Sequence, residues 1–101
     1  MSNTFDTTEL EQHRQQLLKE IEKPSNYQPG SFGCHELLDR LSVVSANLEE
    51  YVCGHPACVL QAAWYASASE AATILANLYQ KIGGEHLSAM PADSTDAPEP
   101  K

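Results

Sequence analysis

The sequence predicts an all-α fold, a three-helix up-down-up bundle built on an antiparallel helical hairpin. Three observations predict it. Apolar residues recur at helical spacing through three separate stretches. The first stretch opens on a capping signal, and the second and third are joined by a Gly54-His55-Pro56 corner. A chain of 101 residues has room for one domain. We expect that domain over residues 1–87 and a disordered tail over 88–101.

Helix 1 is expected at about 7–22. Asp6 and Glu9 have the spacing of a capping box, with Phe5 and Leu10 placed to form a hydrophobic staple. Leu10, Leu17, Leu18 and Ile21 form a narrow apolar stripe, and Pro24 ends the helix by disfavouring helical geometry at Lys23. The Pro24–Gly30 segment reads as a loop.

Helix 2 is expected at about 32–53, with Ser31 as its N-cap. Leu37, Leu41, Val44, Leu48 and Tyr51 recur at spacings of four and three, which predicts one seam facing a partner helix. Gly54 suits a left-handed stop, and Pro56 suits the first turn of the next helix. Helix 3 is expected at about 56–82, ended by Gly83-Gly84. It carries two apolar seams. Leu60, Trp64, Ser67, Ala71, Leu75, Leu78 and Ile82 are expected to face helix 2. Tyr65, Ala68, Ala72, Ala76 and Tyr79, about 100° away, need a second neighbour, either helix 1 or another copy of the chain. Beyond Glu85 the pattern fades, and Pro91, Pro98 and Pro100 punctuate a polar tail with too little apolar area to offset the entropy of ordering.

The charge balance narrows the partners. Fourteen Asp and Glu against six Lys and Arg give a net charge of −8. Such a field repels phosphates and anionic membranes, so direct nucleic-acid binding is not expected and basic protein partners are favoured. No run of apolar residues is long enough to cross a membrane, and the first residues lack the features of a signal peptide. The expectation is a cytoplasmic protein, with its three cysteines, Cys34, Cys53 and Cys58, as thiols.

Two clusters carry chemistry worth weighing. Cys53, His55 and Cys58 offer two thiolates and an imidazole, with Cys34 or His35 as a fourth ligand, but without the usual two-residue spacing of a zinc knuckle or a redox pair. Small buried residues at a helix corner are the simpler reading, so no metal or cofactor is expected. Cys34, His35, Glu36 and Asp39 gather at the start of helix 2. Adjacent Cys34 and His35 diverge by about 100°, so they cannot converge as nucleophile and base. Glu36 and Asp39 favour the positive end of the helix. Glu49 and Glu50 oppose the dipole at the other end, which a basic partner would relieve.

No acid, base and nucleophile converge, and no phosphate-loop or hydrolase motif is present, so an enzyme is not expected. The expected function is a protein-interaction module presenting an acidic helical surface. Tyr65, Tyr79, Glu49 and Glu50 are the candidate contact residues, and a basic protein or a second copy the candidate partner. A small Cys/His metal or redox module is one alternative. The other is an acidic regulator that occupies a partner's nucleic-acid-binding groove.

Overall fold

The structure, a computed structural model, describes residues 7–90. Phe5 and Asp6 of the expected capping box, and the expected tail from residue 91 onward, lie outside the described residues. Those residues form an all-α chain without strands. In order they are α1 (Thr7–Lys19), a 3₁₀ turn (Pro24–Tyr27), α2 (Phe32–Asn47) running on into a wider π-helical stretch (Leu48–Cys53), α3 (Pro56–Val59) and α4 (Ala62–Ala89).

Helix α2 starts where its cap places it. Ser31 is extended, and its Oγ accepts from the Cys34 N–H at 3.2 Å. Helical backbone ends at Cys53 and resumes at Pro56, so the chain reverses across Gly54 and His55. The turn differs in kind from the expected left-handed stop. Gly54 has φ −89° and ψ 0°, and its N–H reaches back five residues to the Glu49 carbonyl at 3.1 Å. The wide π turn closes the helix without a left-handed residue.

The third stretch is not one helix over 56–82. It breaks at an extended Gln61, φ −110° and ψ 108°, which separates the single turn of α3 from α4. Nor does it stop at Gly83-Gly84, because α4 continues to Ala89. Two helical glycines cost about 2 kcal/mol relative to alanines. The contacts that offset this are those of His86, which is buried against the start of α2 and accepts the Gly30 N–H on Nδ1 at 2.8 Å.

Helices α2 and α4 pack antiparallel, but on faces other than those expected. The less exposed seam of α2 is Cys34, Leu38, Leu41, Ser45 and Leu48, with Cys53 continuing it through the π stretch. This is the expected 4-3-4-3 spacing moved by three residues, a rotation of about 60°. Leu37, Val44 and Tyr51 are therefore exposed. The α4 seam draws on both expected rows: Tyr65, Ala68, Ala72 and Tyr79 from the tyrosine–alanine one, Leu75 and Ile82 from the other, and His86, while Ala76 stays exposed. Small residues such as Ala68 and Ala72 permit close helix packing, while Trp64 and Leu78 are left exposed.

Helix α1 completes no bundle. It packs against no other described element, and all its residues are exposed. The reason lies in the connection. The 3₁₀ turn docks on α2, with Asn26 and Tyr27 so close to Gly33 that a Cβ there would run into the Tyr27 ring. That contact fixes the exit of α1, and four apolar residues do not recapture it. The radius of gyration is accordingly 18.1 Å, against about 13 Å for a compact domain of this length. Only Cys34, Leu38, Leu41 and His86 are buried among the described residues, and no side chain is below 2% exposure.

Candidate functional site

The hairpin has two unlike sides, and the heptad-like seams generate both. In an antiparallel helix pair, residues displaced in the same rotational sense from the two contact seams emerge on the same side. Between Leu37 and Val52 and between Trp64 and Leu78, the residues that directly precede seam positions are Leu37, Arg40, Val44, Asn47 and Val52 on α2 and its π extension, and Trp64, Ser67, Ala71, Ile74 and Leu78 on α4. All are exposed, and Arg40 is the one charged residue among them. Among them Ile74 is 58% exposed and Trp64 61%. The π stretch matters here, since its extra residue per turn brings Val52 into the row and turns Tyr51 outward. The result is a largely apolar face interrupted by Arg40, Asn47 and Ser67.

Residues that directly follow seam positions make the opposite side. They include His35, Asp39, Ser42 and Glu49 on α2, and Ser69, Thr73, Ala76, Gln80 and Gly83 on α4. Short side chains on α4 leave a shallow groove there. At the corner end it is lined by Glu49, Cys53, Tyr65, Ser69 and Thr73. At the open end a recess of about 500 Å³ lies among His35, Leu38, Tyr79, Gly83, His86 and Met90. The His35 and His86 rings tilt toward one another with centroids 6.1 Å apart, and Phe32 lies 6.5 Å beyond His35. Because His86 Nδ1 accepts the Gly30 N–H, the proton of its neutral ring sits on Nε2.

Each sequence-predicted site residue has a definite place. Tyr65 and Tyr79 lie at the edge of the α2-facing seam and line the groove, and both are exposed. Glu49 and Glu50 are exposed in the first turn of the π stretch, with Glu49 on the groove side. His55 caps α3: its Nδ1 accepts from the Ala57 N–H at 3.0 Å. Cys53 and Cys58 are half-buried free thiols and Cys34 is a buried one. Among the described residues, no three His, Cys, Asp or Glu side chains converge to hold a metal ion. Glu36 turns to Arg40, 3.0 Å away, and that exposed pair contributes little to stability.

No known protein family, curated protein or solved structure matches the chain. Among the described residues, no helix is long and apolar enough to cross a membrane.

The sequence pattern does not single out Leu37, Val44 and Val52 as exposed surface, or His86 as a clasp. Trp64 and Leu78 belong to the expected hairpin core and instead stand outside it. One signal in the sequence bears on them: α4 carries more apolar arc than one partner helix covers.

Proposed function

We propose that the chain is a non-enzymatic protein-interaction module whose binding surface is the apolar side of the hairpin. The supporting observation is the exposed apolar row of Leu37, Val44, Val52, Trp64, Ala71, Ile74 and Leu78, in which Arg40 is the one charged residue between Leu37 and Val52. Monomeric soluble proteins rarely leave a contiguous apolar patch of that extent to water. The remaining surface is acidic. Glu36, Asp39, Glu49, Glu50, Glu70 and Glu85 of the hairpin face only Arg40 and Lys81 in opposition. A partner that also reaches those flanks carries basic groups, and its binding weakens as salt rises.

The test is site-specific photo-crosslinking in the native host. A photoreactive side chain at Ile74 is expected to form a protein adduct, and the same side chain at Ser42 is not. No adduct at Ile74, or equal adducts at both, overturns the reading.

A further inference from the structure

The grooved side of the hairpin holds a recess that the interaction-module reading does not use. The geometry points to a small-molecule site there: between the start of α2 and the last turns of α4, the recess takes a compact, neutral, ring-bearing ligand that presents a hydrogen-bond acceptor to His86.

The first support is an unused donor. His86 is only 6% exposed, and its Nδ1 is occupied by the Gly30 N–H at 2.8 Å. The ring proton is therefore on Nε2, and no acceptor among the described residues takes it. Yet Nε2 is not sealed off, because among the described residues only Ser45 Oγ is both buried and unpartnered. The hollow that His86 lines is the recess. The same tautomer disfavours a metal ion as the occupant. A ligating Nε2 needs the proton on Nδ1, where the Gly30 N–H already points.

The second support is the pair of glycines in the wall. Gly83 and Gly84 both line the recess inside a continuous helix. Neither has a positive φ, and a Cβ built on either meets nothing within 4 Å. His86 explains why the helix continues past them, but nothing in the chain requires glycine at either position. Bare backbone leaves room for a ligand to approach closely.

The third support is the chemistry of the walls. Leu38, Leu87 and Met90 are apolar, and Tyr79, His35 and His86 present rings. No Lys, Arg, Asp or Glu lines the recess, so an ionic ligand would lose hydration without a counter-charge. The volume of about 500 Å³ lies within the range of small-molecule sites, about 300–1,000 Å³.

Protein-observed NMR of the full-length chain tests the inference, with benzamide as the probe, a neutral ring whose carbonyl is the acceptor. Millimolar benzamide is expected to shift the Gly83, Gly84 and Leu87 amides and to leave those of Gly54 and Ile74 in place. Toluene lacks the acceptor and is expected to bind at least about tenfold more weakly. Benzoate is expected to bind at least about threefold more weakly. Gly83→Leu projects an aliphatic side chain into the open space over the backbone. Leucine favours a helix over glycine, so this variant is expected to melt no lower than wild type and to lose the benzamide shifts. Gly83 and Gly84 amides that do not move overturn the site. Toluene binding as well as benzamide overturns the role of His86, and benzoate binding as well overturns the neutral class. A folded Gly83→Leu that keeps the shifts overturns the recess as their origin. If that variant does not fold, the three probes on the wild-type chain still decide. The Ile74 crosslink, on the opposite side, reports on the module reading independently of every one of these outcomes.

Discussion

The two ends of the hairpin are held by different means. Toward the open end, where the chain enters α2 and leaves α4, lie the buried Cys34, Leu38 and His86, with Leu41 buried midway along the arm. Gly30 lies against the Ala89 backbone with φ +92°, a conformation that suits glycine, and donates to His86. At the corner end nothing is fully buried, and the π stretch, the His55 cap and the covalent turn do the holding. Entropy explains the division. A short connection closes its own end at low cost, so packing is concentrated where no connection exists.

The asymmetry between the ends is measurable by substitution at one fixed protein concentration. Leu38→Ala at the open end is expected to cost most, about 2–4 kcal/mol by chemical denaturation, from lost burial plus a cavity. Gly33→Ala comes next. Its Cβ would lie 2.5 Å from the Asn26 carbonyl oxygen, so the 3₁₀ turn must move, at a cost of about 1–3 kcal/mol. His86→Ala leaves the Gly30 N–H without its acceptor and costs about 1–3 kcal/mol. Hydrogen exchange is expected to show the α4 turn beyond Gly84 fraying in this variant while the corner keeps its protection. Equal fraying at both ends would remove the distinction between them.

Corner substitutions are expected to do less. Gly54→Ala adopts an ordinary φ and meets only the Glu50 and Glu49 carbonyls at 3.3 and 3.4 Å, so its effect stays within about 1 kcal/mol. A loss comparable to that of Gly33→Ala would show that the corner is as tightly determined as the open end.

Helix α1, outside both ends, is expected to matter least. The Arg14 side chain, then that of Gln15, hydrogen-bonds the Glu11 carboxylate and holds its pKa at about 2, below an ordinary 4.5. Because the pKa is depressed, the contribution is complete above pH 4.5 and is lost as pH falls through about 2. NMR titration is expected to show the change confined to α1 resonances, leaving the hairpin unmoved through this carboxylate.

Much of the fold is legible locally. Ser31 reads as a cap because a hydroxyl there meets an orphan amide, and Pro56 as a helix start because it has no amide to lose. The corner arises from these short-range effects. What is not legible is the choice between faces. Leu37-Leu38 and Val44-Ser45 offer alternative rows about 60° apart, and a hydrophobicity pattern scores them almost alike. The structure places Ser45 on the seam, with its Oγ lacking a hydrogen-bond partner, because Leu38 and Leu41 pack there together with the small face of α4. The Gly83-Gly84 stop fails for a similar reason: a local penalty of about 2 kcal/mol is outweighed by His86, whose partner Gly30 lies 56 residues away.

Residue order alone was enough to make the chain helical, to start α2 after Ser31 and to turn the chain back at Gly54-His55. These are nearest-neighbour matters of capping, missing amides and periodicity. Packing in three dimensions chose which faces meet, carried α4 through its glycines to Ala89, left α1 apart and put Trp64 and Leu78 outside the hairpin core. Those outcomes depend on how closely two backbones approach. Closeness comes from the small residues of α4 and from contacts between residues far apart in the chain, which no local pattern encodes.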